Sequence, residues 1–209
     1  MTNEALIREL VADAHPVRRL APPGLRCAGW LALTLVLLVA STLMLGARGD
    51  LGQRSQELSF LLDGMCLLLL GTLSARSAFQ LSVPARRSAV TLGLPLAGAV
   101  LWLVLLASRC LGAAALGAGP GLPCVLRITG LGMLSLLVGW RMQRRASLLE
   151  AGWTGLFLAL AAFSFAALAS RVLCARDGVA HLLFWHCLPV FVLTAVAAVA
   201  RRGRGYAAL

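Results

Sequence analysis

Six long apolar stretches, joined by short polar segments, constrain the fold of this chain more than any other feature. They run over residues 26–46, 58–80, 89–109, 123–140, 148–173 and 179–200. Each has the roughly 20 residues that a helix needs to cross a hydrocarbon core about 30 Å thick. Inside lipid, only helices and closed barrels satisfy every backbone polar group, and the run from Leu31 to Val39 lacks the alternation of a barrel strand. The sequence therefore predicts an all-α, polytopic membrane protein, a bundle of six transmembrane helices.

The arginines indicate how this bundle is oriented. All 19 basic residues are arginine. If the N-terminus is cytoplasmic, thirteen of them fall in cytoplasmic segments: Arg8, Arg18, Arg19, Arg26, Arg76, Arg86, Arg87, Arg141, Arg144, Arg145, Arg201, Arg202 and Arg204. The other six fall on the opposite side: Arg48, Arg54, Arg109, Arg127, Arg171 and Arg176. Because cytoplasmic loops carry the excess of basic residues, we expect both termini in the cytoplasm and the chain in the inner membrane of a bacterium.

The net charge of +11 raises the question of nucleic-acid binding. The arginines are spread over four separate cytoplasmic segments, so the positive-inside bias accounts for them better, and we expect no direct contact with nucleic acid. The connecting segments are too short to hold a soluble domain. We expect a cytoplasmic N-terminal segment over 1–22, a six-helix transmembrane domain over 23–202 and a cytoplasmic tail over 203–209.

Residues 1–15 form the one substantial polar segment, and their pattern predicts an amphipathic helix. Asn3 can cap its start, and Pro16 ends it. One face carries Leu6, Ile7, Leu10, Val11 and Ala14, and the other carries Glu4, Arg8, Glu9 and Asp13. Such a helix either rests on the bilayer surface or docks a cytoplasmic protein. For docking, the candidate contacts are Leu6, Ile7, Leu10, Val11, Glu9 and Asp13.

Three of the six cysteines, Cys110, Cys124 and Cys174, fall at the predicted periplasmic ends of spans. Cys124 precedes Arg127 by three residues, and Cys174 follows Arg171 by three. Residues three apart share a helix face, and a neighbouring cation favours the reactive or metal-ligating thiolate. The alternative is that these arginines extend to the membrane interface and leave the thiols alone. Cys27 and Cys66 are interpreted as small apolar packing residues.

Asp63 lies about a turn inside the second span, where a carboxylate is costly and normally faces a partner. Arg127 and Arg171 are the candidate partners, in either a functional or a helix-joining role.

The sixth span begins with two histidines, His181 and His186, the second of which precedes Cys187. Imidazole and thiolate together suit zinc, cadmium or copper. A metal set of Cys124, Cys174, His181 and His186 follows, although no standard ligand spacing is present. The alternative is a buried histidine that is hydrogen-bonded to a neighbouring helix. We expect no resident cofactor, so that a metal ion would act as a transient signal.

Several segments taken together resemble a known family. They are HPVRRLAPPGLR in the N-terminal region, the turn AFQLSVPARRS, the isolated Cys124 at the head of the fourth span, and LCARDGVAHLLFWHCLPV. In their order and placement, over nearly the full length, they are similar to the NrsF-like proteins. These are six-helix inner-membrane negative regulators of an extracytoplasmic-function sigma factor.

The resemblance implies that the chain is an anti-sigma factor and not an enzyme. Its partner would be an extracytoplasmic-function sigma factor, held at the membrane and released on a periplasmic stress such as toxic metal ions or oxidation. The two periplasmic cysteines of the family map onto Cys124 and Cys174, and its tryptophan–histidine pair onto Trp185 and His186. With Arg127 and Arg171, these residues form the implied signal-sensing set, and Cys110 and Cys187 are additional.

Two other functions compete with this one. A membrane thiol oxidoreductase needs an attacking and a resolving thiol close together, commonly as C-x-x-C, and that motif is missing. Quinone reduction by the purified protein would favour it. A small metal or solute transporter needs polar groups through the midplane, where the spans are almost entirely apolar. Ion flux into liposomes would favour that function.

Overall fold

The computed structural model describes residues 2–12, 20–83, 87–111, 119–143 and 151–206, which are helices and connecting loops. The helices are α1 (Asn3–Ala12), α2 (Pro23–Leu45), α3 (Leu51–Arg54), α4 (Leu58–Gln80), α5 (Ala89–Leu111), α6 (Leu122–Gln143), α7 (Ala151–Leu173), α8 (Val179–Leu182) and α9 (Leu188–Tyr206). A π-helical turn, Leu183–Cys187, joins α8 to α9 in one continuous span. Six of the described helices are long and apolar enough to cross a membrane, which confirms the predicted fold class.

Helix α7 lies at the centre of the bundle and packs against α4, α9, α6 and α2. It is built mainly from Ala, Leu, Phe and Ser, and most of its residues are buried. A helix that is apolar all round buries all of its faces. The surrounding helices expose large apolar side chains on their outer faces, among them Leu35, Val36, Val104 and Leu134. An exterior of this kind suits lipid rather than water.

Glycines on α4 and α6 form notches that receive aromatic side chains of α7. A Cβ atom placed on Gly132 would lie 2.2 Å from the Phe163 ring, and one placed on Gly71 would lie 2.9 Å from the Phe165 ring. Helices approach closely in membranes where small residues leave such room. These contacts fix the rotation of α4 and α6 about α7, and therefore decide which residues face each other at the two ends of the bundle.

One end, where α2 begins and α4 and α6 end, is called here the arginine-rich end. Arg26 is buried there, and its guanidinium donates to Ser82 Oγ at 3.1 Å and to the Met142 carbonyl oxygen at 2.8 Å. One turn further on, Trp30 Nε1 donates to the Ser135 carbonyl oxygen at 2.9 Å. These bonds hold the start of α2 against the ends of α4 and α6.

The other end, where α2 and α7 end and α6 begins, is called here the cysteine end. The chain leaves α2 through Gly46, whose φ of 79° is a left-handed conformation that glycine adopts without a steric penalty. Residues 46–57 then cross the end of the bundle before α4 starts, next to the 174–178 loop that joins α7 to α8.

The predicted N-terminal helix is present as α1. The side chains of Leu6, Ile7 and Val11 are 47%, 58% and 68% exposed, so this apolar face is open in the structure. Glu9 is exposed as well. Asp13 and the side chain of Leu10 lie outside the described residues.

Candidate functional site

Two cysteines and two histidines converge in a buried cluster at the cysteine end. The Sγ atoms of Cys124 and Cys174 are 3.4 Å apart, and His181 Nε2 lies 3.6 Å from the first and 3.5 Å from the second. With one ring nitrogen of His186, these four ligand atoms all lie within 4.8 Å of one another. They are the four residues that the sequence analysis predicted as a metal set.

Each ligand comes from a different part of the fold. Cys124 is in the first turn of α6, where its backbone N–H donates to the Gly121 carbonyl oxygen at 2.9 Å. Cys174 is the first residue after α7, and its N–H donates to the Ser170 carbonyl oxygen at 2.9 Å. His181 is on α8 and His186 is in the π turn. The distances between the ligand atoms therefore depend on the relative positions of α6, α7 and the last span.

The π turn explains how His181 and His186 can share one site. Five residues of an ordinary α-helix turn through about 500°, which leaves their side chains about 140° apart. In a π turn the hydrogen bond joins residue i to i+5, and here the Leu188 N–H donates to the Leu183 carbonyl oxygen. Residues five apart are thereby brought above one another, and the two imidazole centroids lie 5.6 Å apart.

Pro189 gives a physical reason for the π turn at this point. Proline has no N–H to donate to the carbonyl four residues earlier, and its ring crowds that carbonyl in a regular helix. The wider turn over Leu183–Cys187 ends two residues before Pro189. The proline within the last span is visible in the sequence, but its consequence for the histidines is not.

His186 is fully buried, and neither ring nitrogen makes a well-formed hydrogen bond among the described residues, although the ring lies near enough to the Cys174 sulfur to favour its thiolate. Buried polar groups are almost always paired, because an unpaired one loses the hydration that it has in the unfolded chain. An unpaired imidazole nitrogen beside two sulfur atoms has the position and chemistry of a metal ligand. The residues present therefore fit a tetrahedral S2N2 site for a thiophilic ion such as zinc, cadmium or copper(I).

The two thiols are electrostatically unequal. A hydrogen bond from the Cys124 thiol to the sulfur of Cys174 holds the pKa of Cys174 well below its usual range, in spite of burial. A thiolate is the form of cysteine that ligates metals and attacks disulfides. At neutral pH the pair thus has one ionised sulfur that is already prepared for a ligand.

The chain has no C-x-x-C motif, which argued against a thiol oxidoreductase, but two cysteines that are distant in sequence lie side by side in the fold. Fifty positions separate Cys124 from Cys174 in the chain, and yet their sulfur atoms are in contact. Cys187 is buried in the apolar core and Cys110 is half-buried, and neither belongs to the ligand cluster. Cys27 and Cys66 are buried core residues, as the packing interpretation predicted.

Arg127 lies close enough to Cys124 to interact with its sulfur electrostatically, as expected, but Arg127 and Arg171 both make their hydrogen bonds with other groups. Arg171 Nη1 donates to Asp177 Oδ1 at 2.6 Å, and its Nη2 lies 3.6 Å from Asp63 Oδ2. Arg127 Nη1 donates to the Leu173 carbonyl oxygen at 3.4 Å. Carboxylates attract the Arg171 guanidinium more strongly than a neutral thiol would. The structure therefore shows the Asp63–Arg171 pair that was one of two candidates, together with a second partner for Asp63, Arg109 at 3.1 Å.

The sequence analysis missed Arg48 and its carboxylate partners Asp50 and Asp177. The Arg48 guanidinium is buried, and it lies 2.6 Å from both Asp50 Oδ1 and Asp177 Oδ2. Burial alone would raise the pKa of Asp177, but hydrogen bonds from Arg48 and Arg171 outweigh it and hold that pKa below its usual range. The sequence could have pointed to these carboxylates, because Asp50 and Asp177 are two of only eight acidic residues in the chain.

Trp185 packs over the start of α6. A Cβ atom on Gly121 would lie 2.1 Å from the indole ring of Trp185, so only glycine fits beneath it. Because Gly121 supplies the carbonyl that receives the Cys124 N–H, the tryptophan covers the turn that carries this ligand. Of the predicted tryptophan–histidine pair, His186 therefore lies in the ligand cluster and Trp185 packs against the turn that holds Cys124.

Comparisons with known proteins find no match among curated proteins or among solved structures. One family model matches residues 10–203, that of NrsF, the negative regulator of sigma F. Since this match covers nearly all of the chain, the protein belongs to the NrsF family of negative regulators of sigma F.

Proposed function

We propose that the chain is a membrane anti-sigma factor that holds an extracytoplasmic-function sigma factor at the cytoplasmic face of the inner membrane. It releases this partner when a thiophilic metal ion binds at the periplasmic face. The observation that carries the proposal is the buried cluster of Cys124, Cys174, His181 and His186, whose ligand atoms lie within 4.8 Å of one another. Membership of the family supports the regulatory role, and the cluster is the proposed binding site of the signalling ion.

The orientation in this proposal comes from the arginines. By sequence, thirteen of the 19 lie in the segments predicted to be cytoplasmic, and six lie in the segments predicted to be periplasmic. Those six include Arg48, Arg54, Arg109 and Arg171, which are paired with carboxylates. A positive-inside distribution supports a cytoplasmic location for the arginine-rich end and for both termini. The cysteine end then faces the periplasm, from which a metal ion arrives.

Cation binding would change the packing of three elements at once, because the ligands come from α6, from the residue after α7 and from the last span. A ligand shifts a conformational equilibrium only by its different affinities for the two states. Bonds from these four side chains to one ion would favour the arrangement in which the three elements are drawn together. The proposed consequence at the other end is weaker binding of the sigma factor.

At the arginine-rich end, α1 is the proposed docking element. Its apolar face, Leu6, Ile7 and Val11, is open, and helices of this kind bind in grooves of partner proteins through such anchors. Glu4 and Arg8 on the polar face form only an exposed ion pair at 4.0 Å. Exposed pairs of this kind contribute little stability, so the anchors would supply the affinity.

Oxidation is a second signal that the geometry supports. The two sulfur atoms are 3.4 Å apart, so a modest approach would let a two-electron oxidant take two electrons from the pair, with loss of the Cys124 proton, and leave a disulfide. This would also draw α6 towards the end of α7.

The test is a strain that carries the protein, its sigma factor and a reporter under control of that factor. Cadmium should induce the reporter with the wild-type protein and with Cys110→Ser, which changes a cysteine outside the cluster. It should not induce the reporter with Cys124→Ser combined with Cys174→Ser. Induction that survives the double substitution would rule out sensing through this cluster.

A further inference from the structure

We infer that Arg48 is the positioning residue of the cysteine cluster and the connection between that cluster and helix α2. The inference rests on the proposed function, in which the cluster binds the signalling ion but Arg48 has no assigned role. Arg48 touches no ligand atom. It acts through the backbone that carries Cys174 and through Asp177 in the same loop.

The contacts of Arg48 use all five of its N–H groups. Nε and Nη2 donate to the two carboxylate oxygens of Asp50, at 2.6 and 2.9 Å. Nη1 and Nη2 donate to the two carboxylate oxygens of Asp177, at 3.0 and 2.6 Å. Nη1 also donates to the Cys174 carbonyl oxygen at 2.7 Å. The guanidinium therefore connects the segment that follows α2 to both ends of the loop after α7.

Burial makes this arrangement specific to arginine. The side chain of Arg48 has no solvent exposure, so any donor that lost its acceptor would remain unpaired away from water. Lysine carries the same charge, but its ammonium has three donors on a single atom and cannot span two carboxylates and a carbonyl in one plane. The loop position of Cys174 thus depends on the shape of the guanidinium and not only on its charge.

A backbone contact strengthens the same connection. The Arg48 N–H donates to the Val172 carbonyl oxygen in the last turn of α7, at 3.1 Å. Residue 48 is three positions beyond the end of α2 at Leu45. Any displacement of the 174–178 loop is therefore passed to the end of α2 through one side chain and one peptide group.

Helix α2 carries such a displacement to the opposite end of the bundle. Its first turn contains Arg26, which bonds to Ser82 Oγ and the Met142 carbonyl oxygen. A helix of 23 residues is about 35 Å long and transmits shifts along its axis as a rigid element. The two buried arginines, Arg48 and Arg26, thus attach α2 to the cysteine end and to the arginine-rich end.

Arg54 provides a matched control at the same end. It lies 3.4 Å from both Asp50 Oδ2 and Asp177 Oδ2 and pairs with Glu57 at 2.7 Å, but it is 35% exposed. No described contact joins it to the backbone of Cys174. Replacing it removes the same charge from the same network while leaving the Arg48 contacts in place.

The experiment compares Arg48→Lys, Arg48→Gln and Arg54→Gln in purified full-length protein, using cadmium affinity and the absorption spectrum of bound cobalt. Loss of an outer-shell contact typically weakens metal binding about 10- to 100-fold, and we expect this loss with an altered cobalt spectrum in both Arg48 variants. In Arg54→Gln we expect an affinity within about twofold of wild type, as for an exposed pair. Sigma-factor release at saturating cadmium should also fall in Arg48→Lys.

Wild-type affinity and spectrum in Arg48→Lys would overturn the inference. An equal loss of cadmium affinity in Arg54→Gln would also overturn the inference. It would show that net charge at the cysteine end, rather than the contacts to Cys174, controls metal binding. If Arg48→Lys does not fold, Asp177→Asn is the second test. It keeps the shape of the loop and should weaken cadmium binding in the same direction, and an unchanged affinity would count against Arg48. If wild-type protein binds cadmium but keeps its sigma factor, the proposed function fails while the affinity comparison still tests Arg48.

Discussion

The two ends of this bundle differ in how far their polar groups are satisfied inside the chain. By sequence, the segments predicted to be periplasmic hold four acids and six arginines, and those predicted to be cytoplasmic hold four acids and thirteen arginines. Among the described acids, Asp50, Glu57, Asp63 and Asp177 lie at the cysteine end. At the cysteine end, all four acids are in ion pairs.

This difference separates the kinds of ligand that the two ends suit. At the cysteine end the unsatisfied groups are small and buried, above all the ring nitrogens of His186, and they suit a single ion. At the arginine-rich end the open groups are the apolar anchors of α1, with Ile7 and Val11 more than half exposed, and they suit a protein surface. These differences agree with the proposed function, in which the cysteine end binds the signalling ion and α1 contacts the sigma factor.

The largest expected effect comes from substitutions in α1, which should weaken sigma-factor binding without changing metal binding at the cysteine end. Replacing Ile7 and Val11 by Asp places charges on the apolar face of α1, and full burial of an Ile or Val side chain contributes about 1.5–3 kcal/mol. We expect at least a tenfold loss of sigma-factor affinity in a pull-down titration, at 1.4 kcal/mol per factor of about ten. Cadmium affinity at the cysteine end should stay at its wild-type value.

The control for this change is Glu4→Gln combined with Arg8→Gln, which alters the polar face of the same helix. Both side chains are largely exposed and their pair is weak, so the double variant should bind sigma factor like wild type. If the polar-face variant loses the partner and the apolar-face variant keeps it, α1 docks by charge and the comparison of the two ends needs revision.

An effect of intermediate size, on thermal stability, is expected in the middle of the bundle from substitution of Gly132, which lets α6 pack closely against α7. In Gly132→Ala the new methyl group would meet the Phe163 ring at 2.2 Å, whereas in Gly130→Ala it would meet nothing within 4 Å. Overpacking typically costs about 1–3 kcal/mol. Thermal unfolding in detergent should therefore show Gly132→Ala less stable than Gly130→Ala. Equal stability of the two variants would show that α6 and α7 are not held by this contact.

The smallest predicted effect is a proton count at the cysteine end. Because the pKa of Cys174 is already well below its usual range, only the Cys124 thiol must lose its proton when a cation binds. We expect about one proton released per cadmium ion near pH 7, measured with an indicator dye in weak buffer. Release of two protons would mean that both cysteines rest as neutral thiols.

The sequence predicted the spans, the N-terminal helix and the four residues of the ligand cluster, because hydropathy and the end of a span are local properties of the chain. It did not predict the partners of Arg171, which depend on the rotation that Gly71 and Gly132 allow around α7. It also missed the π turn that aligns His181 with His186, and the role of Arg48. The Arg48 contacts to Cys174 and the Arg171–Asp63 pair join segments more than 100 residues apart, which no local pattern records, and the π turn follows from the backbone geometry just before Pro189.

The most direct test of the account is the affinity of the sigma factor for the full-length protein in lipid nanodiscs, with and without cadmium. Coupled sites usually change each other's affinity about 5- to 150-fold, and we predict a weakening in that range for wild type and none for Cys124→Ser with Cys174→Ser. By reciprocity, the sigma factor should weaken cadmium binding by the same factor. An unchanged sigma-factor affinity on wild-type protein that demonstrably holds cadmium would contradict the link between the two ends.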